Sequence, residues 1–341
     1  MEHYGEGVTV AGRPAVSVIV VTFNSSAVIR DCLVDLAEPD HEVIVIDNCS
    51  SDDTVRIVTD EFPQIRVIQN KENVGFSRAV NEAAAASKGA NLLLLNPDAS
   101  INSTTVARLA AELDQDASIG AIAPLLGHEG TGIRVIAAGR APTIWRMFLH
   151  QSGLSRLGTK SSFFEGNYLF RNNFSKTPKD VDWASGGCLM VPASTWVALG
   201  GLTDRWFMYA EDVDFCLRVR SSGQRVVVDP RLNAAHAVGG SSATVDGRVN
   251  TMWIENLYDL YSWRIAPTRL HAGIWKTVML SGMLAREMTY RYTGRIFSQR
   301  RLEARANARR YVVYRKALSG VKSVSTRSSE SYRLGGFASG A

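Results

Sequence analysis

The chain is poor in the signals that mark several common site types. Its four cysteines, Cys32, Cys49, Cys188 and Cys216, are widely spaced and form no CxxC pair. That argues against a zinc ribbon or a dithiol redox centre and makes reduced cytosolic thiols the default. No stretch reaches the roughly 18 consecutive apolar residues of a membrane span. The N-terminus lacks a basic n-region. Its apolar run from Ala15 to Phe23 passes straight into polar turn residues, so it reads as a strand and not as a signal peptide. No internal repeat occurs, and NVGFSR (Asn73–Arg78) has one glycine where a dinucleotide-binding GxGxxG has three.

What is present describes a globular protein: 341 residues, 45% apolar and 21% charged, enough for one large domain with ample core. The net charge of +5 hides an asymmetry. From Arg264 onward sixteen Lys and Arg face three acids, which leaves 22 basic and 30 acidic residues before that point. A mildly acidic body with a strongly basic tail points to a polyanionic partner, phospholipid or nucleic acid.

The first part alternates strand and helix patterns. VSVIVVTF (16–23) is a β-branched run of the kind buried on both faces. EVIVID (42–47), IRVIQN (65–70), ANLLLLN (90–96) and IGAIAPLL (119–126) are further strands. Helical segments at 26–36, after the capping residues Ser51–Asp53, at 75–87 and after Ser103 stand between them. This alternation implies an α/β fold with a mostly parallel sheet flanked by helices. Periodicity weakens over 127–180, which reads as a variable loop or lid. It resumes at VDWASGGCLMVP (181–192) and RVVVD (225–229), and helical patterns dominate from Thr251.

In such sheets ligands bind beyond the carboxyl ends of the strands. The residues falling there are Thr22, Phe23 and Asn24, then Asp47 and Asn48, then Asn73, Gly75 and Arg78, then Asn96 and Asp98. Carboxylates and amides suit a ribose or base, and Arg78 or a metal suits a diphosphate; Asp47 and Asn48 equally suit a plain turn. Asp98, with His236 downstream, fits a hard-cation site for Mg²⁺ or Mn²⁺. WFMYAEDVDFCLR (206–218) places Glu211 and Asp212 at the start of an amphipathic helix, where acids also simply stabilise the helix dipole. On that helix Asp214 and Arg218 are expected to form a surface i,i+4 pair. Gly186 and Gly187 suit a tight turn or close approach of backbone to a sugar. Trp183 and Trp206 suit either a core position or a flat face for sugar stacking.

Six segments in order, SVIVVTFNS, VIVIDNCSSDDT, NVGFSRAVNEA, LLLLNPDA, SGGCLMVP and YAEDVDFCLR, resemble the inverting glycosyltransferases of family 2, which have the GT-A fold. The nearest subgroup is the bacterial rhamnosyltransferase-like enzymes of cell-surface polysaccharide synthesis. The resemblance covers about 16–261 and implies an organisation of an N-terminal extension (1–15), a catalytic domain (16–262; nucleotide half 16–126, lid 127–180, acceptor half 181–262), a basic helical extension (263–320) and a flexible tail (321–341). It implies that Thr22, Asn24 and Asp47 hold the nucleoside and that Asp98 is the metal-proximal acid of a DXD-type motif. That motif here reads Asn96-Pro97-Asp98, with an amide in place of the first acid. It further implies His236 as second metal ligand and Asp212, beside Glu211, as catalytic base.

The donor favoured by this resemblance is dTDP-L-rhamnose, with UDP-galactose, UDP-galactofuranose or UDP-N-acetylglucosamine as alternatives. A non-catalytic glycan- or membrane-binding subunit is the alternative of another class. The acceptor expected is a polyprenyl-diphosphate-linked glycan or polysaccharide. The expected location is cytoplasmic, peripheral on the inner face of the plasma membrane, with a homodimer as one option for assembly. In the tail, Ile274, Trp275, Val278, Met279, Met283 and Leu284 make an apolar face, followed by Arg300, Arg301, Arg305, Arg309, Arg310, Arg315 and Lys316. Such a segment reads as a membrane-surface helix or as a helical pair packing on the body. The tail has no recognised nucleic-acid module, so no nucleic-acid partner is expected.

Overall fold

A computed structural model describes residues 15–36, 41–127, 135–236, 244–245 and 248–322. The expected N-terminal extension and flexible tail lie almost wholly outside the described residues.

The alternation expected from sequence is realised as β1 (Val16–Thr22), α1 (Ile29–Leu33), β2 (Glu42–Asp47), α2 (Thr54–Glu61), β3 (Arg66–Gln69), α3 (Phe76–Ala86) and β4 (Asn91–Leu95). A short β5 (Ala99–Ser100) leads to α4 (Ser103–Gln115), whose N-cap Asn102 accepts a 2.8 Å bond from the Thr105 amide, and then to β6 (Ile119–Gly127). There follow β7 (Val135–Gly139), α5 (Ile144–Ser152), β8 (Tyr168–Phe170), β9 (Lys179–Val181), β10 (Trp183–Ala184), β11 (Cys188–Pro192) and α6 (Ala193–Leu199). The chain continues through α7 (Glu211–Ser221), β12 (Arg225–His236), β13 (Thr244–Val245), β14 (Arg248–Val249), α8 (Met252–Leu260), α9 (Arg269–Ile296) and α10 (Arg301–Gly320).

The main sheet runs β3-β2-β1-β4-β11-β6-β12-β5, with β9 on β12. Its first four strands are parallel, and every residue of β1 is buried, which is why that strand is apolar throughout. Beyond β4 the sheet is mixed. β11 inserts antiparallel between β4 and β6, and β12, parallel to β6, pairs antiparallel with β5 and β9. The sheet is therefore parallel over its first four strands and mixed beyond them.

Two compact units are built from interleaved segments. One takes residues within Met1–Ala138, Phe174–Phe207 and Glu211–Val238, the other residues within Gly139–Asn173, Met208–Ala210 and Gly239–Ala341. This division departs from the expected boundary at residue 262. Much of the region read as a lid belongs with the C-terminal helices. There Trp275, fully buried on α9, donates from Nε1 to the Pro142 carbonyl at 2.7 Å, and Arg286 donates to the His150 carbonyl at 2.9 Å. The same region holds a capped helix: the Thr143 hydroxyl accepts from the Arg146 amide and Gly153 closes α5 in the left-handed conformation.

Within the second unit Trp275 stacks on Tyr261 at 5.3 Å, and α9 packs on α10. Glu287, buried between those two helices, takes bonds from Arg291 and Arg315, each at 2.8 Å. The apolar face expected on α9 is thus divided. Trp275, Met279 and Met283 are core, because a helical pair needs an apolar seam, whereas Ile274 and Leu284 stay exposed. No described helix is long and apolar enough to cross a membrane.

Candidate active site

The parallel strands end on a cluster of side chains that fasten successive loops to one another. Register pairing sets Thr22 beside Asp47, and the Thr22 hydroxyl donates to the Asp47 carboxylate at 2.9 Å. The other Asp47 oxygen accepts from the Ser50 amide at 2.8 Å, and the Ser50 hydroxyl also donates to this carboxylate. Asp47 is thus the turn residue that the plainer reading allows, as well as a carboxylate fixed at the mouth of the sheet. The Asn24 amide donates to Ser50 Oγ at 2.8 Å and its side-chain oxygen accepts from the Ser51 amide at 2.8 Å. Asn48 donates to the Gly75 carbonyl at 3.2 Å and accepts from Asn70 at 2.9 Å, while Asn73 accepts from the Gly75 amide at 3.1 Å.

Gly75 cannot be replaced by a larger residue without movement. Its φ is +85°, and a Cβ would sit 2.6 Å from the Phe207 carbonyl oxygen. That carbonyl accepts from the Phe76 amide at 2.9 Å, so the strand-to-helix turn is sewn to the segment before α7. Phe23 and Phe207 are about half exposed, whereas Trp183 and Trp206 are 4% and 6% exposed. The two tryptophans are core residues with almost no ring face for a sugar, which corrects their expected stacking role; β10 and the residues before α7 pack them inward. Arg78 lies on the exposed face of α3 and reaches Asp204 at 3.4 Å.

A second cluster joins three motifs distant in sequence. Antiparallel pairing of β4 with β11 sets Leu95 against Cys188, and the Asn96 amide donates to the Gly187 carbonyl at 3.0 Å. A Cβ on Gly187 would press on the Asn96 amide at 3.3 Å, so this glycine permits the close approach. The Ala99 amide closes a turn on the Asn96 carbonyl at 3.0 Å, with half-buried Asp98 inside it. From the other side, the Gly186 amide donates to Asp212 Oδ2 at 3.1 Å and the Val213 amide to Oδ1 at 2.8 Å. Burial pushes the Asp212 carboxyl above the ordinary aspartate range, against the opposing pull of these amides and of Ser185. A carboxylate whose proton affinity is raised in this way is a better general base. Glu211 beside it is buried.

The cation expected at Asp98 is tested by the donors that strand pairing assembles. β5 pairs with the end of β12 so that His236 stands opposite Ala99, one residue along from Asp98. Among the described residues no cluster of three or more His, Cys, Asp or Glu side chains could enclose a metal. One carboxylate with one neighbouring histidine position fits Mn²⁺ or Mg²⁺, which take one or two protein ligands and complete their shell with substrate phosphates and water.

Backbone strain marks the same places. Four described non-glycine residues have φ in the left-handed region: Asn24 at 51°, Cys49 at 65°, Tyr209 at 69° and Ala210 at 78°. The first two follow β1 and β2, and the last two immediately precede Glu211 and Asp212. Such positions cost on the order of 1–3 kcal/mol each and cluster at functional sites. The strained turn is braced within the second unit, where Asn256 donates to the Met208 carbonyl at 2.7 Å and Asn250 to the Tyr209 hydroxyl at 2.9 Å. Sequence reading missed Ser50, which closes a local turn on Asp47, and Ser185 and Phe207, whose partners Asp212 and Phe76 lie far away in sequence.

Helix α7 departs from its expected amphipathic character. Asp214 is fully buried and Arg218 is 14% exposed, so their 2.9 Å pair is interior and not on the surface. The helix packs against β10 and α6, which buries Asp214, while Asp212 at its head stays partly exposed.

Residues 17–175 match the family described as Glycosyl transferase family 2. Over 233 residues the chain is 26% identical to the N-acetylglucosaminyl-diphospho-decaprenol L-rhamnosyltransferase of Mycobacterium tuberculosis, covering 64% of this chain and 75% of that protein. Rhamnosyltransferase WbbL of Escherichia coli K12 is 32% identical over 95 residues, 26% of this chain and 36% of that one. The low-salt glycan biosynthesis hexosyltransferase Agl10 of Haloferax volcanii is 29% identical over 223 residues, 62% and 65% of the two chains. The solved structure of GalNAc-T7 with UDP, GalNAc and Mn²⁺ superposes with a TM-score of 0.53 at 16% identity, covering 75% of this chain and 49% of that one, a likeness of fold. Motif order, strand-end geometry and these likenesses show a GT-A fold whose residues 17–175 match glycosyl transferase family 2 and which is similar to rhamnosyltransferases.

Proposed function

We propose that this chain is an inverting glycosyltransferase that moves a sugar, L-rhamnose from dTDP-L-rhamnose being favoured, onto a hydroxyl of a polyprenyl-diphosphate-linked or polysaccharide acceptor. The observation that carries the reading is the Asp212 carboxyl, held by the Gly186 and Val213 amides at the head of α7 with its proton affinity raised by burial. In this reading Asp212 takes the proton of the acceptor hydroxyl as that oxygen attacks the anomeric carbon from the face opposite the leaving diphosphate. Gly186 and Gly187 leave room for the acceptor sugar, and Glu211 supports the charge state of its neighbour. Phe23, Asn24, Asn73 and the Asp47 turn, with Thr22 behind it, hold the nucleoside; in this reading Arg78 leaves Asp204 for the diphosphate. Asp98 and His236 would hold Mn²⁺ or Mg²⁺, with Asn96 beside them toward the donor. Bound there, the ion would stabilise negative charge on the departing diphosphate.

Calorimetry and thermal shift with dTDP, UDP and GDP, with and without Mn²⁺, test this directly. Metal-dependent stabilisation by dTDP and dTDP-L-rhamnose is expected. Preference for UDP would keep the chemistry and change the donor to a UDP-sugar. Silence toward every nucleotide would favour a glycan- or membrane-binding subunit that has kept the fold.

The same reading places the protein at an anionic membrane face. Leu284, Met288, Tyr292 and Ile296 recur every four residues on α9 and are 44%, 58%, 66% and 53% exposed, with Arg291 and Arg295 alongside. Each basic residue near such a surface contributes about 1 kcal/mol, and the apolar row adds burial. Sedimentation with phosphatidylglycerol vesicles is expected to be strong and salt-sensitive and to fall at least tenfold in Met288→Asp/Ile296→Asp. Equal binding by that variant would remove this face from the account.

A further inference from the structure

The second unit contains a half-open cavity of about 340 Å³, lined wholly by its own residues. That volume lies at the lower end of small-molecule sites, roughly 300–1,000 Å³. Met147, Trp253, Leu257, Met279 and Met283 supply an apolar lining, three of them methionines, whose unbranched side chains adapt to flexible guests. Against it stand a few polar groups: His150, Gln151, Tyr209 and Arg286. None of the nucleotide-site residues takes part.

The polar groups are incompletely used. His150 Nδ1 and Gln151 Oε1 are buried without a hydrogen-bond partner, although buried polar atoms are seldom left so. Burial, and secondarily the charge of Arg286, hold the His150 pKa down at about 4, so the imidazole is neutral at pH 7. Arg286 is therefore the positive charge of this lining. Its guanidinium spends one N–H on the His150 carbonyl at 2.9 Å and one on the Tyr311 hydroxyl at 3.4 Å. Five donors are available on a guanidinium, and its fork matches phosphate oxygens. The Gln151 amide, which can present either end, and the neutral imidazole offer further donors.

An apolar cavity with one cation at its wall is complementary to an aliphatic chain ending in a phosphate. We propose that it seats the phosphate-proximal isoprenoid units of a polyprenyl-diphosphate acceptor, with Arg286 on a phosphate oxygen. This rests on the lipid-linked acceptor of the proposed function and adds a site for the lipid itself. Tyr209, in the cavity wall, stands three residues before Asp212 in the chain, and its backbone is one of the two strained positions leading into α7.

Isothermal titration of the full chain with farnesyl phosphate, below its micellar range, is the test. Binding is expected, with farnesol and inorganic phosphate each at least tenfold weaker. Arg286→Gln should lower farnesyl phosphate affinity at least tenfold. Met283→Trp, which fills the cavity, should abolish it, and a melting curve on each variant shows that it is folded. Arg286→Gln carries the test if Met283→Trp misfolds. No binding by the wild type, affinity unchanged in folded variants, or binding of dodecyl phosphate but not farnesyl phosphate would each overturn the proposal. Nucleotide binding, measured on the same samples, separates this outcome from failure of the glycosyltransferase reading: a chain that binds nucleotide but no prenyl phosphate loses only the lipid site.

Discussion

Asp212→Asn is expected to cut sugar transfer about 10²–10⁴-fold, the usual contribution of a positioned general base, with nucleotide affinity nearly unchanged. The amide keeps the size of the carboxyl and one of its two backbone bonds, from Gly186 or Val213, but cannot take a proton. Loss of one bond is offset by removal of a partly buried charge, so the melting temperature should move little. Activity of the wild type should also carry an acid limb. Because burial raises the Asp212 pKa, the base is lost by protonation at a pH above that of an ordinary aspartate. The linked stability runs the other way. A carboxyl whose folded pKa exceeds its unfolded value binds its proton more tightly when folded, so Asp212 costs stability near neutrality and that cost fades as pH falls through the raised pKa. The Asn variant removes this pH dependence. Steady-state kinetics and melting curves from pH 5 to 8 check both signs, and near-normal turnover by Asp212→Asn would remove it as the base.

The parts of this fold legible in sequence were those written in short-range patterns. β1, β2 and β4 are continuous apolar runs because each is sandwiched within the sheet, and the polar residues at their ends mark where ligands bind in such sheets. What remained hidden depends on pairing between distant segments. Nothing in CLMVP tells that β11 runs antiparallel beside β4, yet that pairing is what brings Gly187 to Asn96. Helix α5 escaped because Trp145 and Phe148 are exposed while Met147 and Leu149 are buried, so apolar residues occupy both of its faces and blur the helical period. The tryptophans at 183 and 206 offered no local sign of which way they face. Asp47 illustrates a different case: turn residue and ligand-facing residue call for the same side chain at the same place, and its bonds to Thr22 and Ser50 satisfy the first without excluding the second.

The interior pair on α7 sets the other large expectation, since Arg218→Ala should destabilise the protein by about 3–5 kcal/mol, as when one member of a buried ion pair is removed. The guanidinium joins three elements: it bonds Asp214 at 2.9 Å and donates to the carbonyls of Leu199 and Gly201 at 2.6 and 2.7 Å. Those carbonyls lie at the end of α6, where Gly200 and Gly201 both take left-handed backbone and the helix needs donors for its last turn. Removing the arginine strips these acceptors and takes the Arg218 charge away from the fully buried Asp214 carboxylate. Asp214→Asn/Arg218→Met should recover part of the loss, because the buried charge goes with its partner while the methionine stem refills the space. Urea unfolding of both variants checks this, and a loss below about 1 kcal/mol in Arg218→Ala would show that the pair is no more than an exposed one. Turnover at low temperature, where the variant remains folded, adds a functional reading. Asp212 lies two residues before Asp214 on the same helix, and small misplacements of a catalytic group cost activity steeply. A drop in kcat larger than the unfolded fraction accounts for would therefore show that this ion pair fixes the base in position as well as holding α7 in the core.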